Sequence, residues 1–381
     1  MGNDTGKRII GILAMAVAAG ALIVTAILLR GKDTAGGGAS GGDLSQNSVI
    51  QRDFAMGSAL SVTLYGETEK LETVSSAAIE KIRALDEQVI SWRAENSELA
   101  RWNRTAKAGE AAEVSEALSR AVTDGRKIWE GSGHVLDLTL RPVLDTWGIE
   151  EKDPGSFQVP SEQALADAAA RCGMEHISVS EGILVRNREE ILLDLGAIGK
   201  GYALDVVYDE LLKGETPVSV SDGTEPEDAP STPVMGGVVA VGGSVMIFGS
   251  KPDGCDYQVG IRDPEGSPED IIGILSFRGG TGRHCISTSG GYEKFIEKDG
   301  VRYHHIIDPR TRKPADSGLK SVTVVCENGL MSDGLSTACF ILGEDASREI
   351  LRNFAAEAVF IREDGSIFVT EGLKDAWRLQ P

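Results

Sequence analysis

The stretch that most constrains this chain is Leu192–Asp205, Leu-Leu-Asp-Leu-Gly-Ala-Ile-Gly-Lys-Gly-Tyr-Ala-Leu-Asp. The apolar residues from Ile191 to Leu195 read as the end of a buried strand. Gly196, Gly199 and Gly201 then allow a tight turn and a close approach of backbone to a ligand. From Lys200 onward, Tyr202, Leu204, Val206 and Val207 begin an apolar pattern predicting a helix that continues to Leu212. A strand, a glycine-rich turn and a helix start present backbone N–H groups to an anion, and Lys200 adds a positive charge there. The stretch is not a P-loop, because only Ala197 and Ile198 separate the glycines and Gly201 follows the lysine. It also lacks the Gly-x-Gly pair that opens a dinucleotide fingerprint. The same turn serves equally as a plain tight connection, so the stretch alone leaves both readings open.

With 381 residues, 41% hydrophobic and 25% charged, there is material for a large core in one big domain or two ordinary ones. A formal net charge of −20 disfavours nucleic acid as a partner, since phosphate neutralisation needs Lys and Arg. The five cysteines form no Cys-x-x-Cys pair, which argues against a zinc site and a dense disulfide framework. Ile9–Leu29 is a charge-free apolar run of 21 residues. As a helix it would span about 30 Å, a bilayer core, and it exceeds the usual signal-peptide core of about 7–15 residues. It is expected to be an uncleaved membrane anchor within residues 1–30. Residues 31–47, rich in Gly and Ser, read as a flexible tether with a reach of about 20–25 Å.

From residue 48 to 381 the pattern is globular, with a polar surface insertion at about 214–233. Ser61–Tyr65, Val238–Val241 and Ser244–Phe248 read as strands, the last two around a Gly242-Gly243 turn. Val74–Ile90, Ser115–Trp129, Glu162–Arg171 and Asp333–Leu342 read as helices. Mixed strands and helices without strict alternation predict an α+β fold.

Four further stretches carry candidate chemistry. In Met331–Gly343, Asp333 and Thr337 are four apart and share one helix face. A carboxylate and a hydroxyl are hard oxygen ligands of the kind Mg²⁺ accepts; alternatively Asp333 caps the helix and Thr337 packs. In Tyr292–Pro309, Asp299-Gly300 predicts a hairpin. On its returning strand Val301, Tyr303, His305 and Ile307 share one face, with Arg302 and His304 on the other. His305 is then either a hydrogen-bonded structural residue or a catalytic one. Asp137, in the run Val135-Leu136-Asp137-Leu138-Thr139, is a carboxylate among apolar residues and asks for a partner. Ser91–Asn103 reads as a turn and short helix, a surface connection.

Taken in order, these stretches resemble the ApbE family of FAD:protein FMN transferases. The matching residues are Met56-Gly57-Ser58, Ser97-Glu98-Leu99 with Trp102-Asn103, and Asp137-Leu138-Thr139 through Trp147-Gly148. They continue with Asp194–Gly201, Gly242-Gly243, Ser289-Gly290, His305–Thr311 and Ser332–Thr337. The resemblance implies an α+β, ApbE-like catalytic domain of mixed sheet and helices behind the N-terminal transmembrane helix. It implies that Asp333, Thr337 and the Ala197 carbonyl bind Mg²⁺, and that Met56, Trp92, Val135, Leu136, Asp137, Asp194, Lys200 and Ile307 line an FAD site. Trp92 stands where the family often has Tyr, and Arg312 where Gly is common.

The chemistry so implied is attack of an acceptor Ser or Thr hydroxyl on the FMN-side phosphorus of FAD, with AMP leaving and FMN retained as a phosphoester. Asp333 and His305 are the candidate catalytic residues, His305 because an unperturbed imidazole titrates near neutrality. The expected acceptor is a flavoprotein of a membrane electron-transfer complex, reached by a catalytic domain outside the cytoplasm. The competing readings are an FAD pyrophosphatase giving FMN and AMP, a non-catalytic flavin-binding membrane protein, and a structural adaptor.

Overall fold

The structure, a computed structural model, describes residues 48–150, 154–212 and 234–380. The apolar run Ile9–Leu29, the tether and the insertion Gly214–Pro233 lie outside the described residues. Among the described residues no helix is long and apolar enough to cross a membrane. The chain divides into two compact units built from separated segments. One comprises Met1–Arg83, Leu204–Cys285 and Gly372–Pro381, the other Ala84–Ala203 and Ile286–Glu371.

In the first unit, Ser58–Gly66 lies between Ser48–Ala55 and Val234–Val241, antiparallel to both. Val234–Val241 pairs in turn with Ser244–Gly249 across the expected Gly242-Gly243 turn. Burial of Leu60, Val62 and Leu64 together with Ser61 and Thr63 leaves neither face of the central strand in water. The first hairpin closes on Met56-Gly57, with Ala55 opposite Ser58 and both turn residues at positive φ, 53° and 65°. Two-residue turns of this kind favour Asn-Gly, so a methionine there holds a backbone conformation costing about 1–2 kcal/mol. A second sheet orders Trp377–Leu379, Ile271–Phe277 and Tyr257–Arg262. The helix expected from Val74 begins earlier, spanning Thr68–Ala84, and widens into a π-helical stretch over Leu85–Ile90.

In the second unit, four strands follow the order His284–Gly290, Leu319–Cys326, Glu357–Arg362 and Ile367–Val369, the first two residues of the first strand belonging to the other unit. Gly329–Leu342, a helix buried on nearly every side, packs on Leu319–Cys326 and against the helix Glu116–Gly131. Gly334 makes that approach possible, because a Cβ there would meet Ile128 Cδ1 at 2.5 Å and Ile198 Cγ2 at 3.0 Å. All five cysteines are free.

Three local expectations are corrected. The helix begins at Gly329 rather than Asp333, and its N-cap is Asn328, whose side chain accepts from Met331 N at 2.8 Å. Asp333 is therefore a mid-helix residue, which removes the capping explanation for its carboxylate. Ile191–Leu195 is not strand. Its support is piecemeal: the Asn103 amide donates to Leu193 O and accepts from Leu193 N, both at 2.8 Å, and Asp194 N donates to Leu138 O at 2.7 Å. A side-chain amide thus takes the place of a paired strand. Ser91–Asn103 is also more than a surface connection, because its helix Glu98–Thr105 buries Leu99, Ala100 and Trp102.

The hairpin at Asp299-Gly300 forms as expected, with Lys298 opposite Val301. Its returning strand, however, ends at His304, so the alternation drawn through His305 and Ile307 does not hold. Val301 is 49% exposed, while Tyr303 packs with Trp147 and Phe157. Arg312 has φ 64°, in the left-handed region, and its carbonyl accepts the Trp147 indole N–H at 2.7 Å.

Because Asn328 satisfies an otherwise orphaned helix amide, Asn328→Ala should lower unfolding free energy by about 1 kcal/mol, and Asn328→Asp should retain most of it. Urea denaturation of both variants checks this.

Candidate functional site

The glycine-rich turn and the Asp333 helix meet within the second unit. Asp333 is 4% exposed. Its Oδ2 accepts from Gly201 N at 2.9 Å, and its Oδ1 lies 3.6 Å from Lys200 Nζ. Tyr202 N bonds Ile198 O at 2.9 Å in ordinary helical fashion. The Gly201 amide, which would otherwise be directed at the Ala197 carbonyl, is given to Asp333 instead. This contact needs glycine at 201, since a Cβ would sit 1.9 Å from Gly329 O and 2.7 Å from Asp333 Cβ.

One turn along the helix, hydroxyls line up beside Asp333. Ser336 Oγ donates to Asp333 O at 2.8 Å, and Thr337 Oγ1 lies 3.4 Å from the same oxygen. Ser289, on the neighbouring strand, is 2.7 Å from Ser336 Oγ and 3.2 Å from Thr337 Oγ1. The group is rich in hard oxygen donors and has a single carboxylate. Among the described residues no three His, Cys, Asp or Glu side chains gather to hold a metal. An ion held by an all-carboxylate cage has no place here, whereas one carboxylate, a hydroxyl and a carbonyl, completed by water and phosphate, fit Mg²⁺.

A second group surrounds Trp92. The Arg141 guanidinium lies 3.3 Å from the ring centroid and that of Arg93 4.2 Å. Arg141 also pairs with Asp145 and faces Asp194 Oδ2 at 3.7 Å. Burial pushes the Asp194 carboxyl above the usual range, against the lowering effect of the Gly196 amide and Arg141. Asp137 finds the partner its surroundings demand. Its Oδ1 accepts from the Thr139 amide at 2.8 Å and hydroxyl at 2.6 Å, while Thr139 Oγ1 accepts from Gly173 N. Burial still raises its pKa, and Glu175 adds to the shift. The Asp194 N–H to Leu138 O bond ties this segment to the one leading into the glycine turn. Val135 and Leu136 beside it are buried.

His305 lies apart from Asp333 and borders the Trp92 group through Arg93. It sits with Glu150 and Lys294, and Glu150 bonds Lys294 at 2.9 Å and Arg93 at 2.5 Å. Burial, then Lys294, lower the His305 pKa to about 4. Burial opposes ionisation of Glu150, but Lys294, His305 and Arg93 outweigh it and hold that carboxyl at about 2. His305 Nδ1 is 3.2 Å from Lys294 O, an oxygen that only accepts, so the neutral ring carries its proton on Nδ1. The expectation that His305 titrates near neutrality is therefore corrected.

Of the residues expected in the site, Lys200, Asp333 and Thr337 come together, as do Trp92, Asp194 and the Asp137 segment. Ile307 is a core residue with Trp147 and Phe157. Met56 belongs to the first unit, at the strained hairpin tip. Sequence reasoning misses Arg141 and Glu150, and gives Ser289 only as a residue matching the family, without a role. An arginine following Leu138-Thr139-Leu140 is the one legible signal for Arg141.

Gly201→Ala should destabilise the fold by about 1–3 kcal/mol through forced repacking against backbone. A denaturation midpoint equal to that of the unchanged chain would contradict this contact.

Residues 56–220 and 231–360 match the ApbE family. Among curated relatives, the FAD:protein FMN transferase of Treponema pallidum (strain Nichols) is 30% identical over 365 residues, covering 90% of this chain and 92% of its own. That of Klebsiella pneumoniae (strain 342) is 28% identical over 355 residues, covering 92% and 93%. The crystal structure of the ApbE protein from Thermotoga maritima superposes with TM-score 0.72 at 28% identity, over 87% of this chain and 99% of that one. The flavin transferase ApbE from Vibrio cholerae does so with TM-score 0.70 at 25% identity, over 86% and 99%. With the match spanning well over half of the sequence, the chain belongs to the ApbE family.

Proposed function

We propose that this chain is an FAD:protein FMN transferase acting through phosphoryl transfer. Support comes from the family and from one observation above all: a buried mid-helix carboxylate, Asp333, gripped by the Gly201 amide and flanked by Lys200 and a row of hydroxyls. A helix interior gains nothing in propensity from such a carboxylate; its value here lies in the Gly201 hydrogen bond and in the negative charge it sets beside Lys200.

In the reaction, the hydroxyl oxygen of an acceptor Ser or Thr forms a bond to the FMN-side phosphorus of FAD. The P–O bond to AMP breaks, AMP leaves with the electron pair, and the hydroxyl proton passes to a base. Asp333, Thr337 and the Ala197 carbonyl would hold Mg²⁺, which when bound neutralises charge on the phosphates. Lys200 supplies further positive charge beside Asp333. Trp92 offers an aromatic face, and Arg93 and Arg141 bring guanidinium groups suited to phosphate or to a stacked ring. His305, neutral with its proton on Nδ1, keeps the Nε2 lone pair for a proton, though at pKa about 4 it is a weak base. The same reading keeps Ile9–Leu29 as a membrane anchor, the catalytic region outside the cytoplasm, and a membrane flavoprotein as acceptor.

The full chain in detergent, given FAD, Mg²⁺ and an acceptor flavoprotein, should produce flavin fluorescence that survives denaturing electrophoresis, with matching AMP release. Both should vanish with EDTA, and Asp333→Ala should lose about 100-fold or more in rate. AMP and free FMN without a labelled acceptor would instead mean hydrolysis; bound FAD without AMP would overturn the enzymatic reading.

Acid should also expose the His305 cluster. The unfolded chain protonates this histidine near pH 6.5, the folded one near 4. Stability is therefore lost as pH falls between those values, because the unfolded state binds the proton first. His304, also lowered by burial, acts in the same direction. Glu150 contributes lower down, its stabilisation fading as pH falls from about 4.5 toward about 2. Replacing His305 by Gln should flatten the decline of Tm between pH 7 and pH 5 without abolishing it. An unchanged slope would show that the imidazole is not buried neutral.

A further inference from the structure

The hydroxyl row beside Asp333 has a direction that follows from counting protons. Asp333 O is a carbonyl and only accepts, so Ser336 must donate in its 2.8 Å bond. A hydroxyl has one proton. With that of Ser336 spent, the 2.7 Å contact between Ser289 and Ser336 requires Ser289 to donate. Ser289 then has only lone pairs for Thr337, so in the 3.2 Å contact Thr337 is the donor. Asp333 O, which has two lone pairs, is the other acceptor within reach of Thr337, but at 3.4 Å it is the longer and weaker alternative to Ser289 at 3.2 Å. The lone pairs of Thr337 Oγ1 are thereby left facing away from the row.

From this geometry we infer that Ser289 is a positioning residue: it takes the proton of Thr337 and so presents the threonine oxygen to a divalent cation held with Asp333. This rests on the metal assignment proposed above. A Ser289 side chain that merely packed would not need its oxygen within reach of two hydroxyls at once. The working part of the arrangement is the relay carbonyl–Ser336–Ser289–Thr337, in which removing the third member frees the Thr337 hydroxyl to rotate its proton toward the cation. Outer partners that orient a ligand commonly govern affinity by about 10- to 100-fold.

The test is Mn²⁺ binding to the full chain in detergent, followed by titration calorimetry and by the EPR signal of free Mn²⁺, without FAD or acceptor. Ser289→Ala should weaken binding about tenfold, Ser289→Thr should restore it, and the metal-free Tm of both should stay close to that of the unchanged chain. Asp333→Ala and Thr337→Ala are measured alongside. Unchanged Mn²⁺ affinity in Ser289→Ala, with binding lost in Asp333→Ala and Thr337→Ala, would overturn the role of Ser289 and leave the metal site standing. Equal affinity in all the variants would overturn the metal site itself. A large drop in metal-free Tm for Ser289→Ala that Ser289→Thr also shows would make the residue structural and sink the inference.

Discussion

The hydrogen bond from Gly201 N to Asp333 joins two segments that are 132 residues apart in sequence, and the candidate chemistry depends on it. It fixes the carboxylate at the start of the helix Gly199–Val207, where backbone N–H groups are available and anions are favoured. Three glycines make room for that bond. Gly201 and Gly329 let the backbones touch, and Gly334 seats the helix against Ile128 and Ile198. Bulk at these positions would not only strain the packing but would move the carboxylate away from Lys200 and from the turn.

Burial has opposite outcomes for the carboxylates of the second unit, and the difference lies in what surrounds each. Asp137 and Asp194 are held by hydrogen bonds and, for Asp194, a distant guanidinium, and burial prevails, raising both. Glu150 has Lys294 and Arg93 in direct contact, and these outweigh burial. The first pair are carboxyls that accept a proton or a hydrogen-bond donor readily; the third is a permanent anion that helps keep His305 in place.

Much of this was legible in the sequence, and the failures share a cause. Period and turn chemistry located the Asp299-Gly300 hairpin, the paired strands around Gly242-Gly243 and the helix after Ser115, because those signals are local. The Asp333 helix was placed four residues late because Ser, Met and Gly give little apolar period, while its Asn328 cap was overlooked in favour of a more familiar acidic one. Ile191–Leu195 looked like strand because apolar residues in sequence say nothing of what pairs with them; here it is the Asn103 side chain. His305 was placed by alternation that stops one residue before it. Its low pKa depends on Lys294 and Glu150, which only the fold brings beside it. The family motifs named Asp333, Thr337 and Ala197 together, which spacing across more than a hundred residues could not do.

The hydroxyl row also has a consequence for order. A string of hydroxyls closed on itself, or ending in groups that both donate and accept, is degenerate: all its protons can point one way or the other, as in ice, and the string keeps that residual entropy. The Asp333 carbonyl ends this string with a group that has no proton to give. Because that carbonyl lies 2.8 Å from Ser336 and 3.4 Å from Thr337, one sense is favoured, so the threonine at the far end is turned before any cation arrives, and little orientational freedom remains to be lost on its arrival.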